Sequence, residues 1–228
     1  MIESKSDHLK TLYIKPPNPR SGTWQLVFCA IVLMVLCAAV YFYPAANAAA
    51  IAIIFIMALA MLIIAYKQSR EPSLSFTLTF MHIQFHSPYG GWLARWKNIA
   101  EIGPATICYQ GWCEPVPWVG VRLKNYDEFL ESICPRTASK ILLEQRILLI
   151  LAYKRSDDPP HEIEDMLFDD THYVTGNGKI LKGLQAMLAN RMRYNRELLG
   201  YDFFISEDLL DRPTDDFVGL ARRYLAAS

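Results

Sequence analysis

Between Trp24 and Tyr66 the chain carries no Asp, Glu, Lys or Arg, a run of 43 residues dominated by apolar side chains. Trp24–Tyr43 is 20 residues long, and a helix of that length covers about 30 Å, the hydrocarbon thickness of a bilayer. Pro44-Ala45-Ala46-Asn47 interrupts the run, and Ala48–Tyr66 adds 19 more residues. The pattern predicts a transmembrane helical hairpin over 24–66, with helices 24–43 and 48–66. In lipid only helices or closed barrels satisfy their own backbone. Trp24, Tyr41, Tyr43 and Tyr66 stand at the ends of the two runs, where amphipathic rings prefer the interface. Lys15 and Arg20 precede the hairpin, Lys67 and Arg70 follow it, and the turn has no cation. The positive-inside rule then predicts both termini in the cytoplasm, with residues 1–23 a cytoplasmic N-terminal segment. Ala46-Asn47-Ala48 has the form of a signal-peptidase site, but the long lead and long apolar run do not fit a cleaved leader. The helices hold no ionisable group besides thiol and phenol. Ion paths need buried carboxylates, His or Arg, so the hairpin reads as an anchor.

Past the hairpin the period changes. Leu74, Phe76, Leu78 and Phe80 alternate with Ser75, Thr77 and Thr79, the period of two that marks a half-buried strand. The parity shifts at Met81, which predicts a bulge or tight turn near Phe80, and Ile83 and Phe85 continue the apolar set. Pro88–Gly91 predicts a turn, Trp92–Trp96 a strand, Lys97–Ile99 a turn, and Thr106–Tyr109 and Val116–Leu123 two further strands. Asn125 with Glu128 resembles a capping box, and Tyr126, Phe129, Leu130 and Ile133 then share one helical stripe that Pro135 ends. Lys140–Tyr153 predicts a buried helix. Residues 157–170 hold seven carboxylates and no Lys or Arg, which predicts a solvated acidic loop. Asn177-Gly178 predicts a tight turn, Lys182–Leu199 a helix stopped by Gly200, and Tyr201–Ile205 a strand. Thr214 is placed to cap a last, amphipathic helix bearing Phe217, Leu220, Ala221, Tyr224 and Leu225. The expected fold class is therefore α+β: the hairpin, then one cytoplasmic domain over 67–228.

Composition narrows the function. The 23 basic and 23 acidic residues cancel, so no overall basic field points to nucleic acid. An apolar share of 52% excludes a disordered chain. The five cysteines match no disulfide scaffold, and the expectation is free thiols in a reducing compartment.

Several segments together resemble the bacterial membrane-anchored pleckstrin-homology-like (PH-like) proteins, a family of unknown function. They are the charged lead and hairpin followed by Pro72-Ser73-Leu74; Arg95-Trp96-Lys97-Asn98-Ile99 as a Trp-x-x-Ile signature; Val119–Asn125 leading into Tyr126–Ile133; and Tyr201–Ile205 followed by Phe217–Leu225. The likeness spans roughly Trp24–Leu225. It implies a PH-like mixed β-sheet or barrel with several helices, an inner-membrane location, and Trp96, Ile99 and Gly120 as structural signature. It implies no catalytic residues and no cofactor. The acidic segment and the 179–199 helix depart from a minimal barrel.

Candidate chemistry is sparse. His82 and His86 fall on one side of a strand, a spacing that lets a metal bridge them, but two solvent-facing histidines explain them as well. Cys108, Cys113 and Cys134 lack zinc-site spacing. His161-Glu162-Ile163-Glu164-Asp165 lacks the second histidine of a zinc-protease helix, and Thr175–Lys179 departs from a phosphate loop. Basic residues are more suggestive: Lys67, Arg70, Lys182, Arg193 and Arg196 are candidates for contact with an anionic lipid surface. The resulting expectation is a non-enzymatic inner-membrane module that binds a protein partner or a lipid head group. The alternative is a membrane-anchored metal-dependent enzyme using His82/His86 or the 157–170 carboxylates.

Overall fold

Leu12–Ile14 (β1), which the sequence reading leaves in the N-terminal segment, is a strand of the folded body. The computed structural model of the chain describes residues 10–16, 23–41, 48–70, 72–109, 111–156, 159 and 161–228. They form two units, one from residues 1–17 with 74–228 and one from 18–73.

The second unit holds two apolar helices, Thr23–Tyr41 (α1) and Ala48–Arg70 (α2). One described helix is long and apolar enough to cross a membrane, over Ile51–Ser69 with a mean hydropathy of 2.2. The apolar part of α1, Trp24–Ala39, is shorter. This differs from the expected pair of spans, and the residues expected to complete the first helix and the turn, 42–47, lie outside the described residues. Small side chains fill the inside of this unit: Ala30, Ala58 and Ala65 are buried, while Phe28, Val35, Ile53, Ile56 and Ile63 are exposed.

In the first unit, alternation builds a four-stranded antiparallel sheet in the order β1, Phe76–Leu78 (β2), His82–Ser87 (β3) and Gly90–Arg95 (β4). Ile14 pairs with Phe76, and Phe76 with Phe85. Ile14, Phe76, Leu78, Ile83, Phe85, Trp92 and Ala94 turn to the core. The parity shift at Met81 is a tight turn between β2 and β3, with Thr79 Oγ1 accepting from the His82 amide at 3.1 Å.

A short 3₁₀ turn, Trp96–Asn98, leads into a long hairpin, Ile99–Tyr109 (β5) and Trp112–Leu123 (β6). These strands run well beyond the predicted segments. Pro104 and Pro115 hide the alternation in the sequence, and a register shift between Pro104 and Thr106 absorbs the break.

Five helices and a small hairpin come next: Asp127–Ser132 (α3), Pro135–Glu144 (α4), Arg146–Arg155 (α5), Ile163–Phe168 (α6), Tyr173–Val174 (β7), Ile180–Leu181 (β8) and Leu184–Leu199 (α7). Asn125 Oδ1 accepts from the Asp127 amide at 2.9 Å, but no capping box forms: the N-cap is Tyr126, without a side-chain bond, and Glu128 pairs with Arg95 at 2.7 Å. α3 ends at Ser132, ahead of Pro135 as expected, and Pro135 also opens α4, because its missing N–H is harmless in a first turn. The single helix expected over 140–153 is two helices meeting at Gln145. The reason lies far away in sequence: the Gln145 amide donates to the Phe204 carbonyl at 2.7 Å and accepts from the Phe204 amide at 3.1 Å.

Gly200 ends α7 in the left-handed region at φ 78°. Phe203–Ser206 (β9) then joins β6, giving a three-stranded sheet β5-β6-β9. Thr214–Ala227 (α8) closes the body. Thr214 is its first residue rather than its cap, and its hydroxyl donates to Glu207 at 2.7 Å. The apolar face of α8 seats Phe217 against Phe76 and stacks Tyr224 on Trp96. Its Tyr224 hydroxyl donates to the Lys10 carbonyl at 2.6 Å, tying down the segment before β1.

Candidate functional site

Three polar or concave regions of the first unit are candidates. The deepest is centred on Asp202, whose side chain is fully buried beside Arg196. Both carboxylate oxygens accept from the Arg196 guanidinium at 2.6 Å. Oδ1 also accepts from the Tyr126 hydroxyl at 2.7 Å, and Oδ2 from the Leu123 amide at 2.6 Å. Arg196 spans from there to the Leu123 carbonyl at 2.7 Å and lies over the Tyr126 ring. Burial first, then the Asp202 charge and hydrogen bond, raise the Tyr126 phenol well above its ordinary value. The hydrogen bond to Asp202 raises Arg196 against the opposing effect of burial. Every oxygen of this carboxylate is engaged, so the arrangement locks α7, β6 and β9 together and leaves nothing aimed at a substrate.

The second region is the acidic segment. Its described part is anchored on the apolar side, where Met166 is buried against Leu149 and Tyr194, while Glu162, Glu164, Asp165 and Asp170 are exposed. Arg191, itself buried, donates to the Met166 carbonyl at 3.2 Å and the Leu167 carbonyl at 2.6 Å, capping α6. Desolvation, with Arg146 nearby, lowers the Arg191 pKa to about 10. Asp169 accepts from Tyr194 at 2.7 Å and from the Thr171 amide at 3.0 Å. Burial alone works to raise the Asp169 pKa, but hydrogen bonds from Thr171 and Tyr194 outweigh it and hold the carboxyl below its ordinary value. A concavity of about 510 Å³ lies here, lined by Glu164, Asp165, Phe168, Asp169 and Asp170. Among the described residues no group of three or more His, Cys, Asp or Glu is gathered to hold a metal ion.

The third is a groove of about 580 Å³ beside α4, lined by Tyr89, Arg136, Lys140, Leu143, Glu144 and Leu184 among others. One wall is the β3–β4 turn. Cys134 Sγ donates to the Tyr89 carbonyl at 3.2 Å and fixes that turn to the start of α4. Lys140 and Glu144 pair at 3.6 Å. Leu143 is 66% exposed on the groove.

The sequence-derived candidates fall as follows. His82 and His86 lie on the outer face of β3, and His86 Nε2 sits 2.8 Å from Thr77 Oγ1. Arg196 is committed to Asp202 through both guanidinium bonds. Arg193 lies 3.7 Å from Asp169 and over the Tyr194 ring. Lys182 is exposed ahead of α7, Lys67 is exposed on α2, and Arg70 is the last residue of α2. Trp96 and Ile99 are buried at the 3₁₀ turn, with the Trp96 indole donating to the Thr79 carbonyl at 2.7 Å. Gly120 faces the Tyr201 ring, which a Cβ would approach to 2.3 Å.

The cysteines differ from expectation. Cys108 and Cys113 pair directly across the β5–β6 hairpin and are joined by a disulfide. Count and spacing concealed it, because only the register of the hairpin brings them face to face. Trp112, beside the bond, is 85% exposed at the hairpin tip.

The region that matches a known family is the body from β2 to α8, residues 76–227. The chain belongs to DUF2982, a family of proteins of unknown function. No curated protein and no solved structure matches it. The DUF2982 match leaves out both apolar helices and β1, although β1 completes the first sheet of the matched body.

Proposed function

We propose that the chain is a membrane-tethered binding module, in which α1 and α2 form a two-span anchor inserted into a PH-like body that recruits a protein or a lipid head group. The observation that carries this reading is the pairing of β1 with β2. Ile14 and Phe76 are neighbours in one sheet, yet the whole apolar insert separates them in sequence. Both flanks of the insert must then lie on the same side of any membrane. If α2 crosses, the chain has to cross a second time, and among the described residues α1 is the other long apolar helix. The inside-out packing of the helical unit, alanines within and large apolar groups outward, suits a lipid solvent. A four-stranded and a three-stranded antiparallel sheet with a C-terminal helix support the PH-like reading, and residues 124–202 are an elaboration between β6 and β9. A binding role fits polar clusters whose hydrogen bonds are turned inward to structure.

Lys15, Arg20, Lys67 and Arg70 favour the cytoplasmic face of a bacterial inner membrane. The Cys108–Cys113 bond favours a second reading, with the body on an oxidising side. We retain the first, since hairpin register brings the two thiols together in either redox state, whereas the cations have no comparable local cause.

The test is excision. In the full chain the protein should stay in the membrane pellet after an alkaline carbonate wash. Replacing residues 17–73 by Asn-Gly should leave β1 and β2 joined by a short turn and yield a soluble body with native circular dichroism. A full chain released by carbonate, or an excised chain that still pellets, would overturn the reading.

A further inference from the structure

We infer that the groove beside α4 binds an anionic phospholipid of the membrane that holds the helical unit, an inference that rests on the tethered reading above. Location is the first argument. The Ser75 amide donates to the Ile14 carbonyl at 2.8 Å, and the His86 amide donates to the Ser75 carbonyl at 2.8 Å. With the pairings of Ile14 to Phe76 and Phe76 to Phe85, these bonds end the ladder, so Ile14, Phe76 and Phe85 are level near one end of the first sheet. Lys15, Leu74 and the β3–β4 turn lie beyond that level. This is the end at which the chain departs for the apolar helices and returns from them. Tyr89 of the same turn forms a wall of the groove.

Chemistry is the second argument. Tyr89, Leu143 and Leu184 give the groove an apolar lining open to solvent, and Arg136 and Lys140 stand beside it. Glu144 neutralises Lys140, so among the described residues Arg136 is the cation of the groove without an acidic partner. A free inorganic anion would use the cations and leave Leu143 and Leu184 wet. A neutral acyl chain would leave Arg136 unanswered. A phosphodiester carrying hydrocarbon satisfies both halves, and about 580 Å³ is room for a head group with its first methylenes. A cation at an anionic leaflet is worth roughly fivefold in occupancy.

The full chain, carrying a photoreactive benzoylphenylalanine in place of Leu143, is placed in nanodiscs of phosphatidylcholine with or without phosphatidylglycerol, irradiated and analysed by mass spectrometry. We expect phosphatidylglycerol adducts at least fivefold over phosphatidylcholine adducts, undiminished by added inorganic phosphate. Arg136→Glu should lower them about fivefold or more, with Arg136→Gln intermediate; circular dichroism checks that both variants fold. The same probe at Phe168, equally exposed but beside Glu164 and Asp165, should give few adducts. Absence of lipid adducts at 143 from a chain embedded in the disc would overturn the inference while leaving the anchor intact. So would adducts equal at 143 and 168, insensitivity to Arg136→Glu, or crosslinks to a second copy. Failure of the chain to enter the disc at all would instead defeat the tethered reading.

Discussion

Four hydrogen bonds converge on the Asp202 carboxylate from Arg196, Tyr126 and the Leu123 amide. Nothing in the local sequence marks this residue, because its partners come from a strand end, a helix and the residue before α3. Removing one member of a buried, hydrogen-bonded ion pair costs about 3–5 kcal/mol, and the lower end applies to loss of Asp202, because Arg196 is 32% exposed and water answers part of its charge. Asp202→Ala should therefore lower the denaturation midpoint of the excised body by that order. Arg196→Lys should rescue little, because an ammonium cannot donate two parallel bonds to one carboxylate. A loss below about 1 kcal/mol for Asp202→Ala would contradict the role given to the pair. The same cluster sets an alkaline limit. The Tyr126 phenol is raised in the folded state, so its contribution is complete below the unfolded phenol pKa of about 10 and is lost as pH climbs toward the folded value. Denaturation midpoints measured above pH 10 should fall with pH, and Tyr126→Phe should flatten that fall. An unchanged slope in the variant would place the alkaline sensitivity elsewhere.

At the scale of elements, the β5–β6 pairing places Gly103 opposite Gly120, and Tyr201 lies across both. A Cβ on Gly103 would approach the Tyr201 hydroxyl to 2.3 Å, and one on Gly120 would come as near to the ring. The two glycines make a slot that seats the link between α7 and β9. Gly120→Ala should destabilise the body by about 1–3 kcal/mol through overpacking. In a Tyr201→Ala background the same change should cost much less, and a double-mutant cycle measures the difference. An undiminished penalty would show that the slot is not the cause.

Which elements were legible follows the same logic. Alternation alone marked β2 and β3, and Gly200 marked the end of α7. The division of α4 from α5 was hidden because it depends on Gln145 bridging to Phe204. The anchoring of the acidic segment was hidden because Arg191 comes from α7 and binds backbone carbonyls rather than carboxylates. Of the candidate site, the basic residues were visible as letters, but Arg196 was already engaged. The groove beside α4 arises only when the β3–β4 turn meets Pro135–Glu144.

For the molecule as a whole, the least visible strand has the largest consequence. Three residues, Leu12–Ile14, show too little pattern to announce a strand, and their partner lies beyond the apolar helices. Their pairing turns an N-terminal pair of apolar helices followed by a domain into a domain interrupted by those helices. On the tethered reading proposed above, it also couples folding to insertion: β1 is made first, the helices follow, and the sheet closes only once the chain has returned to the starting side. Single cysteines placed at Lys10, Ala46 and Ser228 in a full chain whose own cysteines are replaced by serine report this directly. They are labelled with a membrane-impermeant maleimide in intact spheroplasts and in inverted vesicles. The account predicts that positions 10 and 228 are labelled together, in inverted vesicles for the cytoplasmic orientation, and position 46 only in the opposite preparation. Labelling of 10 and 228 from opposite sides, or of all three from one side, would contradict it.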